Sequence, residues 1–193
     1  HAPPQISPER LVFDCEREYL SLHGQLNRLT LYFGALKRCE RSAVVLPWEA
    51  GLCSSDAPAI KTGYLQEYVY EPEPSVMKAG LLNELAQTIA DAGAEILFYK
   101  GDERRTLLTS SELIDSPFFK DRYRVVCKTE MDILKLKEIL KAEKAKNVVL
   151  RLDIEPERYW KFRKTLEEGL TGSRTLHLFG FGDEVVVGEK IKK

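Results

Sequence analysis

Hydrophobic and polar positions follow two rhythms along this chain, and each rhythm predicts a kind of element. Leu26, Leu29, Phe33 and Leu36 recur at spacings of three and four, which puts them on one face of a helix while Gln25, Arg28, Lys37 and Arg38 face water. Apolar runs at 11–15, 42–46, 94–99, 124–127 and 147–152 read as strands. Leu81, Leu82, Leu85, Ile89 and Ala92 form a helical stripe with Ser75 as its cap and Gly93 as its stop. Thr129-x-x-Asp132 opens another helix carrying Ile133, Leu136, Ile139 and Leu140, and Pro156 starts one carrying Tyr159, Phe162 and Leu166, ended by Gly169 and Gly172. Tyrosines at 64, 68 and 70 suggest an edge strand or an irregular excursion that Glu71-Pro-Glu-Pro74 ends. Segments 175–179 and 185–187 about Gly180-Phe-Gly182 suggest a C-terminal hairpin.

Alternation of strand and helix predicts an α/β chain: a Rossmann-like, mostly parallel sheet with helices on both faces. Prolines 3, 4 and 8 make residues 1–8 an extended arm, residues 9–188 a single domain, and 189–193 an exposed tail. No period of 20 to 50 residues recurs, so a repeat array is unsupported.

Candidate chemistry gathers around Gly24. A glycine turn entering a helix aims free backbone N–H groups outward, where an anion is stabilised without a catalytic side chain; Asn27 and Arg28 would add to them. The plainer reading makes Gly24 a turn, Asn27 a cap and Arg28 a solvated charge. Trp48, Glu49 and Asp56 follow the carboxyl end of a strand, the edge at which open α/β sheets bind ligands; Trp48 packed on the preceding helix is the alternative. His23 beside Gly24 reads as solvent-facing, and the mixed charges at 100–105, Arg104 and Arg105 included, read as a solvated loop.

The order Leu11-Val-Phe13, Gly24-x-x-Asn27-Arg28, Gly34-Ala35 and Arg41-Ser-Ala-Val-Val-Leu-Pro-Trp48 resembles the amino-terminal half of the GDP-fucose protein O-fucosyltransferases. Ser111-Glu-Leu-Ile-Asp115-Ser-Pro-Phe118-Phe119, Tyr123-Arg-Val-Val126 and Thr129-Glu-Met131 extend the resemblance, which spans roughly residues 11 to 131. It implies that the Gly24-x-x-Asn27-Arg28 loop lies beside GDP-fucose as donor substrate, with Trp48 and Glu49 at the neighbouring strand end as further candidates, and it implies a secretory (ER/Golgi) compartment. It also implies a second half carrying a His-x-Arg segment that holds the diphosphate. Here 149–153 offers only Arg151, which reads either as a stand-in for that arginine or as an ion-pair partner of Asp153 or Glu155.

Composition narrows this picture. Lys+Arg 29 against Asp+Glu 30, a net charge of −1, gives no polyelectrolyte signal for nucleic acid or an anionic membrane. No run of apolar residues approaches the ~20 that cross a bilayer, so no transmembrane segment is expected and the chain reads as soluble. A first residue other than Met leaves room for a removed targeting segment, including one for a mitochondrial assembly. Cys15, Cys39, Cys53 and Cys127 lack Cys-x-x-Cys spacing, and with three histidines no metal site is expected. Two disulfides would suit a secreted chain, although Cys39 and Cys127 sit in apolar contexts that suit free thiols.

Two functions follow. The first is a fucosyltransferase-like, non-catalytic domain acting with protein partners as a structural or interaction subunit. The second is a compact transferase or sugar-nucleotide binder using Gly24, Asn27 and Arg28, helped by Glu49 or Arg151. A third class, another small-molecule α/β enzyme, finds no nucleophile-base pair and no phosphate-loop or dinucleotide motif.

Overall fold

A computed structural model describes residues 3–6, 10–102 and 105–192, so the arm expected at 1–8 and Arg104 fall partly or wholly outside it. Strand β1 (Glu16–Leu22) turns directly into β2 (Gln25–Tyr32). His23 and Gly24 form the turn with φ of 51° and 74°; a two-residue hairpin needs such left-handed residues, and glycine supplies one freely. The run from Gly24 is thus a strand, not the expected helix. After a 3-10 turn at Gly34–Leu36 come β3 (Arg41–Leu46) and β4 (Ala50–Cys53). These strands form a sheet in the order β2-β1-β3-β4. A parallel pair exists, but it joins β3 to residues 16–22 rather than to 11–13, and a strand with a turn connects them.

The rest of the chain builds a seven-stranded sheet. Its elements are β5 (Tyr68–Pro72), α1 (Pro74–Ala79), α2 (Leu82–Asp91), β6 (Leu97–Gly101), β7 (Thr106–Ser110), β8 (Phe119–Glu130), α3 (Ile133–Ala142), β9 (Ala145–Arg151), α4 (Pro156–Glu167), β10 (Arg174–Phe181) and β11 (Glu184–Lys190). Strand order is β6-β7-β5-β8-β11-β10-β9. Only β9 and β10 run parallel, joined by α4; all other pairs are antiparallel. The expected Rossmann-like, mostly parallel sheet is therefore corrected to two mixed, mainly antiparallel sheets. The reason lies in the connections: a tight turn can join only antiparallel strands, whereas a parallel pair needs a crossover such as α4.

Several helix expectations hold in place. The helix expected after Thr129 forms as α3, but Thr129 lies in β8 and the cap is Asp132, which accepts from the backbone N–H of Leu134 and Lys135; Pro156 opens α4 as expected. The stripe at 75–92 is broken by Gly80 at φ 66°, and Ser75 lies inside α1 instead of capping it. Strand β5, expected at an edge, lies between β7 and β8. The C-terminal hairpin forms, but β11 pairs with β8 and the hairpin sits inside the sheet. Glu189 and Lys190 belong to β11 and not to a tail.

Period-two alternation divides the seven-stranded sheet into two faces. Val148, Leu150, Leu176, Leu178, Val185 and Val187 meet Leu136 and Leu140 of α3 and Leu166 of α4. On the same side Tyr70 and Leu108 meet Val76 of α1 and Leu85 and Ile89 of α2, a core shared with Tyr19, Leu29 and Val45 of the four-stranded sheet. The opposite face carries Val69, Tyr99, Leu107, Tyr123, Phe179 and Val186. Among the described residues no helix packs against it, and contacts from β6 and its neighbouring loop cross it instead. Tyr99 and Lys100 of edge strand β6 reach Glu184 at the start of β11, and the Arg105 guanidinium donates to the carbonyls of Arg151 and Gly180.

Candidate ligand cleft

Two turns of the four-stranded sheet lie side by side against the larger sheet. The His23 N–H donates to the Leu46 carbonyl at 3.3 Å, holding the β1–β2 turn against the β3–β4 loop, which contains a cis peptide at Pro47. Facing them are the start of β8, the end of β11 and the Glu71-Pro-Glu-Pro74 bend into α1. The Ser75 N–H donates to Ser21 Oγ at 2.9 Å and the Glu73 N–H to the Phe118 carbonyl at 2.8 Å, locking that bend to both sheets.

A cavity of about 420 Å³ opens here, lined by His23, Gly24, Pro47, Trp48, Lys120 and Lys190 among others. A neighbouring one of about 370 Å³ is lined by Leu26, Glu71, Met77, Arg105 and Lys120. Lys120 borders both, and its stem crosses Gly24 so closely that a Cβ there would lie 3.2 Å from the lysine Cγ. Among the described residues no carboxylate pairs with the half-buried Lys120 ammonium. Trp48 is 59% exposed and reaches over the cavity edge, so it does not pack on a helix as the alternative reading supposed.

Between the cavities lies a cluster of charged and aromatic groups. Tyr123 Oη donates to Glu71 at 2.8 Å and lies 3.3 Å from Asp121; Lys190 pairs with Asp121 at 2.6 Å, and Arg151 approaches Glu71 at 3.7 Å. Desolvation and the two carboxylates hold the Tyr123 hydroxyl protonated, far above the usual tyrosine range. His177, 7% exposed and 4.9 Å from the Tyr123 ring, is pushed down to about 4 by burial and then by Arg151 and Lys190, so it is neutral near pH 7. Its Nδ1 and the Arg151 Nε are buried without a protein partner among the described residues, which makes each a place for a bound water or ligand atom. Paired charges, a neutral imidazole and a protonated phenol suit this cleft to holding a polar group.

The six expected site residues separate. Gly24 and Trp48 line one cavity, although Gly24 turns a hairpin instead of opening a helix. Arg151 sits in the cluster beyond it, paired with Glu71 and not with Asp153 or Glu155. Asn27 and Arg28 project from edge strand β2, both exposed, and Asn27 is the extra residue of a bulge between the Leu20–Arg28 and Ser21–Leu26 pairs. Glu49 is exposed at the β3–β4 turn with φ 52°. With no helix after Gly24, no macrodipole is present there to hold a diphosphate. Sequence reasoning missed Glu71, Lys120, Asp121, Tyr123, His177 and Lys190, which come from four strands. The signal present was a run of charges inside otherwise apolar strands, as in Lys120-Asp-Arg-Tyr123.

No helix of the described residues is long and apolar enough to cross a membrane. Neither a family model nor a curated protein matches this chain. Among solved structures, it is similar to the crystal structure of a putative methyltransferase from Porphyromonas gingivalis W83, with a TM-score of 0.66 at 18% identity. That likeness, which is one of fold, covers 98% of this chain and 50% of that one, so the chain spans about half the length of its structural neighbour.

Proposed function

We propose that this chain is a non-catalytic structural and interaction module of a larger assembly of methyltransferase type, holding an acceptor or partner beside a separate catalytic unit. One observation carries the reading: the likeness runs through 98% of this chain yet accounts for only half of a chain described as a putative methyltransferase. The chemistry of the described residues supports it. The start of α3 is filled by the Asp132 carboxylate, and α4 begins among Glu155 and Glu157, so neither offers its N–H groups to a phosphate. Group transfer needs preorganised donors aimed at developing charge, whereas in the cleft most of them are already paired with carboxylates or carbonyls.

A second reading, GDP-fucose binding by a fucosyltransferase-like chain, draws on one feature. Gly24 and Trp48 meet at a single cavity beside the Lys120 ammonium, which no carboxylate among the described residues pairs with.

Calorimetric titration of the purified chain with S-adenosylmethionine and with GDP-fucose tests both. The module reading expects no heat from either donor. It also expects methyl transfer by the full assembly to lose several-fold in kcat/KM when Trp48→Ala and Lys120→Ala are combined here. Donor-saturable binding of S-adenosylmethionine to the isolated chain would overturn it, and binding of GDP-fucose would install the second reading.

A further inference from the structure

Cys39 and Cys53 are 14 positions apart in sequence and meet at the open edge of the four-stranded sheet, on the far side of β3 from β1. Cys39 ends the turn before β3, and Cys53 is the last residue of edge strand β4, paired with Ser42. The Arg41 carbonyl draws them together: it accepts the Ser54 N–H at 2.8 Å and the Cys39 thiol at 3.2 Å, while the Arg41 N–H donates to Ser54 Oγ at 3.1 Å. The two sulfurs and a carboxylate oxygen of Glu16 all lie within 4.8 Å of one another.

From this geometry we propose that Cys39 and Cys53 form a reversible dithiol–disulfide pair, oxidised by exchange with a small-molecule or protein disulfide, which tethers the hairpin that carries Trp48. The exposed Cys53 is the entry point. As a thiolate it attacks one sulfur of the incoming disulfide; a mixed disulfide forms and one thiol leaves. Cys39 then gives up its proton and displaces the second thiol, so two protein thiols become one disulfide and the incoming disulfide becomes two thiols.

The surroundings assign these roles. Cys39 is partly buried beside the Glu16 carboxylate and the other thiol, and desolvation with these neighbours pushes its thiol up to about 12, so it waits protonated until the mixed disulfide is in place. Arg38 pairs with the same Glu16 carboxylate at 3.5 Å. The same guanidinium opposes a metal cation, and Glu16 is already engaged by Ser42 Oγ at 2.5 Å and the Arg38 N–H at 2.9 Å. Cys15 and Cys127 stand outside the cluster.

The test equilibrates the protein with reduced and oxidised glutathione and maps disulfides by mass spectrometry under non-reducing conditions. Expected are a cross-link between the peptides of Cys39 and Cys53 with loss of two hydrogens, its reversal by excess thiol, and a rise in Tm of roughly 5 °C on oxidation. Cys39→Ser should leave glutathione trapped on Cys53, while Cys53→Ser should leave Cys39 unmodified. Four thiols alkylated equally after oxidising equilibrium, with no cross-link, would overturn the proposal. So would stoichiometric Co(II) uptake with thiolate charge-transfer absorption that is abolished by Glu16→Gln, since the cluster would then be a metal site.

Discussion

The two faces of the seven-stranded sheet are built from the same strands by opposite means. On one, Leu150, Leu178 and Val185 alternate inward and are closed by leucines of α3 and α4, so that face is held by shape and apolar area. On the other, neighbours of those residues are Arg151, His177 and Phe179, which lie with the buried Tyr123 and the partly buried Glu71 and Asp121. Apolar packing tolerates what it buries; a buried charge tolerates only its partner. The polar face therefore sets where a ligand can sit, and the helix-backed face keeps the strands in register beneath it.

The largest expected effect lies on the helix-backed face. Leu140 of α3 is fully buried against the sheet, and Leu140→Ala should destabilise the fold by about 3 kcal/mol in urea denaturation, with the m value unchanged. A change below about 1 kcal/mol would mean that this face does not carry the stability assigned to it.

Next comes pH, which separates the faces because only one of them holds a buried base. Folded His177 stays neutral down to about 4, whereas the unfolded imidazole takes its proton near 6.5. Between those values the unfolded chain binds more protons, so stability falls as pH drops from 6.5 to 4, by roughly 2–3 kcal/mol in total. His177→Phe should flatten that part of the profile and leave the lower limb, governed by carboxylates such as Glu184 and Glu189 with lowered values, in place. An unchanged wild-type profile across the window would show His177 to be solvated.

Tyr123→Phe removes one hydroxyl and keeps the ring against Phe179. Glu71 and Asp121 then lose a donor in a half-buried site, for an expected loss of about 1–2 kcal/mol. A loss as large as that of Leu140→Ala would erase the distinction between the two faces.

How much of this was legible in the sequence differs along the chain. From Ile133 onward it read well: the leucine spacing of α3, Pro156 and the apolar runs of β9 to β11 are local signals, and the chain obeys them, although the helix starts at Asp132 and not at Thr129. Before Gly93 local spacing misled. Leu26 and Leu29 both face the core although three apart, because the bulge at Asn27 inserts a residue and turns a strand's alternation into a helix-like interval. The hairpin signal was nonetheless present in His23-Gly24 between two strand-length runs. Glu16 and Glu18, buried in β1 with Arg38 and Tyr32 as partners, hid that strand further by looking like surface charge. The cleft was the least legible part, since β5, β8, β9, β10 and β11 each give it between one and three residues and no local spacing encodes that β11 inserts beside β8.

The smallest effects are expected at the two exposed residues of β2. Asn27 is the unpaired residue of the bulge and Arg28 lies opposite Leu20, both open to solvent on a sheet edge. Asn27→Ala and Arg28→Ala should each change stability by less than about 0.5 kcal/mol, as surface substitutions do. Gly24→Ala, three positions away, is the internal standard: its φ of 74° and the overlying Lys120 stem should make it cost about 1 kcal/mol. If Asn27→Ala matched that loss, the amide would be holding the bulge, and the register that buries Leu26 and Leu29 together would depend on a side chain at the sheet's outermost edge. The hairpin would then owe its form to Asn27 as much as to the turn at His23 and Gly24.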